Sequence, residues 1–331
     1  MATTLHGSRR SGNPGGRSGG RPDGGAQNGS GTAIVERREA GWRRRDRWMG
    51  LVFVGPQLLG MCVFVLLPFA VGMVLAFAKW DGLTALEWVG TDNFAAQMAN
   101  PEFLRAIINT VAIALITVPI GLALSLLIAV GLDRLRARTG YLIMYFAPVM
   151  TSSIAISLVW QQILRADGPL NSSFAKVFGI PGPDWLGDPR FVLPAVCIVT
   201  IWSSLGLNVI IFLAGLQGIS PSILEAAKVD GAGPLRTMLR IRLPLLSPVV
   251  FFSTVVAVIS SFQTFDVVFI LTKGGGPDDS ARTIVYQIYE DGFKNFEFGM
   301  ASAASIILLL LTLLVTAVQL MLQRRFVHYE S

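Results

Sequence analysis

Long apolar blocks alternate with shorter polar connections along most of this chain. Six blocks of more than 20 residues cover approximately positions 51–77, 107–131, 141–163, 191–216, 246–272 and 300–322. A helix of about 20 apolar residues spans the hydrocarbon core of a bilayer. The pattern therefore predicts an all-α, polytopic membrane protein with six transmembrane helices.

Composition and motifs narrow the function. Apolar residues make up 52% of the chain and charged residues 15%, with a mean hydropathy of +0.58, whereas soluble domains carry about 25% charged residues. Cys62 and Cys197 stand alone inside apolar blocks, and His6 and His328 lie near the ends of the sequence, so we expect no disulfide and no metal site. The sequence contains no GxxxxGK[ST] motif. These observations predict a chain that is not an enzyme and uses no cofactor.

The basic residues are distributed unevenly between the connections. With the N-terminal tail in the cytoplasm, 19 of the 27 Lys and Arg residues fall on the cytoplasmic side and eight on the outer side. Cytoplasmic loops carry such an excess, so we expect both termini in the cytoplasm. The same distribution accounts for the pI of 9.7 without nucleic acid as a partner.

The N-terminal segment differs from the rest of the chain. Residues 1–46 are rich in Gly and Arg and have few large apolar side chains, a composition typical of disorder. We interpret them as a disordered cytoplasmic tail. The basic cluster at residues 37–47 adjoins the first apolar block and is either a general anchor on anionic lipid or a specific head-group site.

Residues 217–245 form the central loop, which lies between the fourth and fifth blocks on the predicted cytoplasmic side. Ser220 as N-cap and Pro221 in the first position predict a helix. Gly231 is a typical helix end, and Gly233 with Pro234 starts a second helix. The loop is therefore predicted to fold into two short helices at an angle.

Details inside the central loop allow alternatives. Ser222 and Glu225 could form a capping box in place of the first start. Small side chains at Ala226 and Ala227 are expected to be exposed, where a partner could approach closely, and Glu225 and Asp230 to be held by nearby arginines. The basic, amphipathic second half would also suit an anionic lipid surface. Physical reasoning from the residues leaves docking and lipid binding open.

The spacing inside the loop resembles a known motif. Glu225-Ala226-Ala227 is followed after three residues by Gly231, and after nine more by Ile241, one residue and Leu243-Pro244. This arrangement resembles the EAA motif of ABC importer permeases, and most closely the sugar-permease branch of the maltose and glycerol-3-phosphate type. The resemblance covers about residues 50–325 and includes the segments Asn109-Thr110, 213–217, Leu271-Thr272 and Phe298-Gly299.

The resemblance implies a type I ABC importer permease with a five-helix core at residues 105–325. Residues 47–104 would add the first transmembrane helix and an outer loop, and residues 326–331 a cytoplasmic tail. Residues 220–248 would be a coupling loop seated in a cleft of an ATPase subunit. The residues implied in that coupling are Glu225, Ala226, Ala227, Asp230, Gly231, Ile241, Leu243 and Pro244. Glu225 would either contact the ATPase or hold the loop in shape.

The resemblance also implies an assembly in the bacterial cytoplasmic membrane. Its partners would be a second permease, giving a heterodimer, an ATP-binding cassette ATPase dimer and an extracellular solute-binding protein, all around a chain embedded in the lipid bilayer. ATP hydrolysis would then take place on the partner ATPase, and this chain would move a sugar by alternating access.

Polar residues inside the apolar blocks are candidates for a substrate pathway. They are Trp202, Ser204 and Asn208 in the fourth block, and Gln263 and Asp266 in the fifth. Each could instead serve helix packing. We find no Lys or Arg within the blocks, which favours a sugar over a sugar phosphate. An ion-coupled carrier would need a relay of buried ionisable groups, and only Asp266 qualifies; a membrane scaffold would leave the EAA spacing unexplained.

Overall fold

A computed structural model describes Met49, residues 52–135 and residues 138–326, except the side chains of residues 324–326. The tails predicted at residues 1–46 and 326–331 lie outside this range, apart from the backbone of Phe326. The chain divides after Leu66 into two units. In the first unit, residues 52–66 are helical and almost all exposed; everything that follows concerns the second unit.

The structure is almost entirely helical. The helices are α1 (Val52–Leu75), α2 (Asp92–Ala99), α3 (Pro101–Asp133), α4 (Arg138–Met150), α5 (Ser153–Ile163), α6 (Pro169–Phe178), α7 (Pro189–Gln217), α8 (Pro221–Val229), α9 (Pro234–Leu245), α10 (Ser247–Phe262), α11 (Asp266–Thr272), α12 (Ile284–Tyr289) and α13 (Phe298–Phe326). Two short strands, β1 (Ala78–Lys79) and β2 (Glu87–Trp88), pair antiparallel. Helix α9 includes a π-helical turn at Met238–Arg242, and another follows α12 at Glu290–Lys294.

Six membrane spans are present if two bent helix pairs are each counted as one span. Helices α1, α3, α7 and α13 are long and apolar enough to cross a bilayer on their own. The pair α4 and α5 is bent by 100°, and the pair α9 and α10 by 66°. The all-α membrane fold predicted from the hydropathy pattern is therefore confirmed, although two of its spans are broken.

The prediction of a continuous helix was wrong for the third and fifth blocks. In the third, Ser152 has extended dihedral angles (φ −56°, ψ 132°), and the Thr151 hydroxyl donates a hydrogen bond to the carbonyl of Ala147 at 2.9 Å. In the fifth, α10 ends at Phe262 and α11 begins at Asp266. Thr283 donates a hydrogen bond to the carbonyl of Thr264 at 3.1 Å, so a distant segment satisfies backbone that a continuous helix would have paired.

The two longest central helices have well-defined starts. The Asn100 side chain accepts a hydrogen bond from the amide of Glu102 at 2.9 Å, and Asp188 does the same for Arg190. Proline occupies the first turn of both α3 and α7, where no amide hydrogen is needed. The amide and guanidinium of Arg190 also lower the pKa of Asp188 to about 2. These caps fix where α3 and α7 begin.

Close backbone packing surrounds α7. A Cβ atom at Gly206 would lie 1.9 Å from the carbonyl oxygen of Tyr145 on α4, so only glycine permits this crossing. One core cluster joins α3, α7 and α10 through buried side chains that include Leu122, Phe212 and Phe262. Helices α3 and α7 consequently run side by side from the segment 273–298 at one end of the bundle to the central loop at the other.

Candidate functional site

A cavity of about 180 Å³ lies between α3, α7 and α10. Its polar lining consists of hydroxyl and amide side chains from Thr117, Thr200, Ser203, Ser204, Asn208, Ser260 and Ser261. Within the part of the chain that the structure describes, no charged side chain lines this cavity. A neutral polar ligand therefore fits its chemistry better than an ion.

The hydrogen-bond donors of the cavity are largely used within their own helices. Hydroxyl groups donate to a carbonyl three or four residues earlier at 2.8 Å from Thr117, 2.8 Å from Thr200, 3.0 Å from Ser203 and 3.0 Å from Ser204. The amide nitrogen of Asn208 likewise donates to the carbonyl of Ser204 at 3.2 Å. The lone pairs of these hydroxyls and the amide oxygen of Asn208 remain, so the cavity mainly offers hydrogen-bond acceptors.

The structure separates the five residues predicted for a substrate pathway. Ser204 and Asn208 line the cavity. Trp202 lies in a different groove of about 430 Å³ at the bend between α4 and α5. Gln263 and Asp266 line neither space, because they flank the break between α10 and α11 that the sequence pattern did not show. Contact of any of the five with a substrate stays a prediction.

The groove at the bend has an aromatic wall. Trp202 packs edge-to-face against Trp160, with the ring centroids 5.5 Å apart and the planes at 71°. The remaining lining is mostly apolar, from Met144 and Pro148 on α4 to Ile163 on α5. This groove is chemically distinct from the hydroxyl-lined cavity.

Sequence analysis missed three cavity residues. Thr117, Ser260 and Ser261 all line it, and the Thr117 and Ser261 hydroxyls lie 3.1 Å apart, which joins α3 to α10. The available signal was the presence of these hydroxyls inside apolar blocks. It was weak because such groups usually bond to their own helix.

The central loop begins as predicted. Helix α8 starts at Pro221 with Ser220 as its N-cap. The Ser220 hydroxyl, however, bonds to the Ser222 hydroxyl at 2.8 Å and not to a backbone amide, so the capping box between Ser222 and Glu225 does not form. Glu225 is exposed, whereas Ala227 is 5% exposed.

The two alanines of the loop therefore differ. Ala226 is exposed, as predicted, but the expectation that Ala227 is exposed was wrong because its side chain packs beneath α8. At the end of α8, Gly231 has φ +72°, which favours glycine. Amide hydrogen bonds from Gly231 to Lys228 (3.1 Å) and from Ala232 to Ala227 (2.9 Å) close the turn.

The second half of the loop is anchored to the bundle. Helix α9 begins at Pro234 after Gly233, as predicted. Ile241, Leu243 and Pro244 on α9 are half-buried. The following residue, Leu246, is 1% exposed and lies in a core cluster with Leu132 of α3 and Leu216 of α7. Helix α8 projects, while the end of α9 is fixed.

The charges of the loop are not arranged as expected. Glu225 and Asp230 are exposed and form no ion pair with any residue that the structure describes, so the expectation that nearby arginines hold them was wrong. Arg242 instead binds Asp133, the last residue of α3, with 2.9 Å between Nη1 and Oδ2. The signal for this pair was a carboxylate at the C-terminus of a helix, where a negative charge is unfavourable without a partner.

The opposite end of the bundle contains a dense ionic network centred on Arg282. Its side chain is 8% exposed and pairs with Asp279 at 2.8 Å, with Glu290, and with Glu102 at 3.4 Å. Asn109 of α3 donates hydrogen bonds to the carbonyls of Asp279 (2.9 Å) and Arg282 (3.0 Å). The network therefore ties segment 273–298 to the start of α3.

A buried carboxyl group extends this network. Asp291 is 4% exposed and accepts hydrogen bonds from Gln97 at 2.5 Å and Gln287 at 2.8 Å. Burial raises the pKa of Asp291 above its ordinary value of 3.8. The side-chain oxygen of Gln97 is buried without a partner. No group of three or more His, Cys, Asp or Glu side chains in the described ranges could hold a metal ion.

A bundle of broken apolar helices around a small uncharged cavity, with an exposed helix pair projecting at one end, defines a membrane permease. The chain belongs to the family described as binding-protein-dependent transport system inner membrane component, whose profile matches residues 94–328. It is thus a multi-pass permease of the ABC importer class.

Curated relatives agree with this assignment. The chain is 33% identical over 294 residues to "Probable ABC transporter permease protein YesP" of Bacillus subtilis, covering 87% of this chain and 94% of the relative. It is 31% identical over 292 residues to "sn-glycerol-3-phosphate transport system permease protein UgpA" of Pectobacterium atrosepticum (86% and 97% covered). It is 32% identical over 275 residues to "Lactose transport system permease protein LacF" of Rhizobium radiobacter (82% and 92% covered).

Solved structures share the fold. A chain of a bacterial ABC transporter involved in the import of the acidic polysaccharide alginate superposes with a TM-score of 0.77 at 23% identity, covering 87% of this chain and 99% of that one. A complex of a bacterial alginate ABC transporter with an alginate pentasaccharide-bound periplasmic protein gives 0.75 at 22% identity (88% and 99% covered). These likenesses concern the fold alone.

Proposed function

We propose that this chain moves a neutral sugar across the cytoplasmic membrane by alternating access, as one permease subunit of an ABC importer. ATP would be hydrolysed on a separate ATPase dimer that seats the central loop. A second permease would complete the pathway, and a solute-binding protein would deliver the sugar. The carrying observation is the uncharged cavity lined by hydroxyl and amide oxygens.

The cavity favours a polyol for a specific reason. Its lining hydroxyls already donate to their own helices, and acceptor lone pairs remain. Sugar hydroxyls can donate to such acceptors, whereas a phosphate accepts hydrogen bonds and requires donors or cations. Relatives named for glycerol-3-phosphate transport nevertheless support a sugar phosphate as the second candidate, with the cationic groups on the partner permease.

The central loop supports coupling to a separate subunit. Glu225 and Asp230 point outward without ion pairs in the described chain, and Gly231 holds the bend between α8 and α9. Helix α8 thus presents charged groups and the small Ala226 side chain to another chain. The excess of basic residues near this loop supports a cytoplasmic location for it and for both termini.

The first experiment tests the docking of the ATPase. Glu225→Ala is compared with Glu87→Ala, which removes an exposed carboxylate at the opposite end of the bundle, in the assembled importer. We expect Glu225→Ala to lower co-purification of the ATPase and sugar uptake by about tenfold, the range for losing a charged interface contact, while Glu87→Ala stays near wild type. Normal co-purification and uptake in Glu225→Ala would contradict the coupling role.

A second experiment separates the two substrate classes. The reconstituted importer and its binding protein are offered neutral mono- and disaccharides and glycerol-3-phosphate, and the stimulation of ATP hydrolysis is measured for each. Stimulation by a neutral sugar that weakens in Asn208→Leu supports the proposal, since Asn208 lines the cavity. Stimulation by glycerol-3-phosphate alone would replace it with the second candidate.

A further inference from the structure

One ion pair joins the central loop to the helix that lines the cavity. Arg242 Nη1 of α9 lies 2.9 Å from Asp133 Oδ2 of α3, and the two side chains are 20% and 17% exposed. We propose that this pair is the positioning contact through which movement of the central loop displaces α3 during transport. The inference rests on the proposed function, because it assumes that a partner ATPase moves the loop.

The position of Asp133 favours such a role. It is the last residue of α3, where the partial negative charge of the helix terminus opposes a carboxylate. Arg134, the next residue, is exposed and forms no ion pair with any residue in the described ranges. Arg242, from a segment 109 residues away, therefore supplies the positive charge that Asp133 requires.

Helix α3 can carry a displacement from Asp133 to the cavity. It is continuous from Pro101 to Asp133, and Gly121 of the cavity lining lies about 18 Å from Asp133 at a rise of about 1.5 Å per residue. Pro119 lies inside the helix beside the lining residues Thr117 and Val118. Proline removes one backbone hydrogen bond and favours bending there, so a pull at Asp133 would change the cavity wall first.

The loop side of the contact is equally specific. Arg242 closes the π-helical turn of α9, four residues before the buried Leu246. Helix α8, by contrast, has only Ala227 buried. A force applied to α8 by a partner would therefore reach the bundle through α9, and the Asp133 carboxylate is the ionic contact that α9 makes with α3 in the described chain.

The experiment compares four variants in the complete importer reconstituted in lipid vesicles. Asp133→Asn and Arg242→Gln each break the pair, and the double exchange D133R/R242D restores it in reverse. Arg134→Gln is the matched control, because it removes an exposed, unpaired charge from the same helix end. The measurements are ATPase co-purification, ATP hydrolysis stimulated by the loaded binding protein, and sugar molecules taken up per ATP hydrolysed.

We expect the single variants to retain ATPase co-purification and to lower the sugar-to-ATP ratio by about fivefold to tenfold, a typical coupling for contacting charged residues. The exchange variant and Arg134→Gln should transport with a ratio near that of the wild type. A normal ratio in both single variants would overturn the inference while leaving ATPase docking intact.

Two further outcomes are decisive. Should both single variants fail to accumulate in the membrane, the exchange variant decides alone: a normal ratio supports the inference, and a low ratio in an assembled importer overturns it. Failure of the proposed function has a different signature, because the wild-type chain would then neither retain the ATPase nor respond to Glu225→Ala.

Discussion

At one end of the helical bundle, Arg282 is almost buried and pairs with three carboxylates. At the other end, Glu225 and Asp230 point outward with no ionic partner in the described chain. Both segments connect helices and both are rich in charge. One satisfies its polar groups internally, whereas the other leaves them unpaired.

This difference separates structural from interactive polarity. Buried charges are stable in a protein only when they are paired and hydrogen-bonded, so the Arg282 network must hold segment 273–298 in one arrangement. Exposed charges carry no such requirement and are available to another chain. The end with unpaired charges is therefore the end at which we propose that an ATPase binds.

The strongest test of the comparison is Arg282→Met. Removing a buried cation leaves Asp279 and Glu290 without their partner, so we expect the chain to lose about 3–5 kcal/mol in free energy of unfolding. Thermal unfolding of the detergent-solubilised chain measures the loss. Arg190→Met is the control, because the Arg190 side chain is 82% exposed; equal losses in the two variants would contradict an essential network.

A second test uses glycines. A Cβ atom at Gly299 would lie 2.1 Å from the carbonyl oxygen of Ala78, so Gly299→Ala should cost about 1–3 kcal/mol of stability. Gly231→Ala meets no atom within 4 Å but must adopt φ +72°, and about 1 kcal/mol is expected. Gly233→Ala, at φ −65° in open space, is the control that should unfold with the wild type.

The third test concerns pH. Burial raises the pKa of Asp291 above 3.8, so the stability that this group contributes is fully present below 3.8 and is lost as pH rises through its folded pKa. Asp291→Asn should remove that loss and flatten the dependence of Tm on pH between acid and neutral conditions. Gln97 can accommodate the change by presenting its unpartnered oxygen. An unchanged slope would show that Asp291 is already ionised at low cost.

The smallest effect is expected at the exposed end. Glu225→Ala removes a side chain without an ion pair in the described chain, so the free energy of unfolding of the isolated permease should change by less than about 0.5 kcal/mol. Its effect should appear only in the assembled importer. A clear loss of stability in the isolated chain would mean that Glu225 holds the loop in shape.

Local signals explain what could be predicted from the sequence. Hydropathy located the spans, and Ser220-Pro221, Gly231 and Gly233-Pro234 defined both helices of the central loop, because caps and turns depend on neighbouring residues. The breaks at Ser152 and after Phe262 could not be predicted in this way. At the second of them, the hydrogen bond from Thr283 comes from a separate part of the chain.

The same distinction applies to the site. Ser204 and Asn208 were found as polar residues in an apolar block, but Gln263 and Asp266 satisfied the same criterion and lie outside the cavity. The Asp133–Arg242 pair was missed because its members are 109 residues apart. Composition identifies residues that are expensive to place in a membrane, and only the three-dimensional arrangement shows what they contact.

The hydroxyl groups of the cavity, whose protons already serve their own helices, also bear on how quickly cargo passes. A sugar there can give hydrogen bonds but receives few in return, so its own oxygens give up water without full replacement. Such a ligand has a short residence time. Under the proposed function, the passage would hold its cargo weakly, and strong capture from dilute surroundings would fall to the external binding protein.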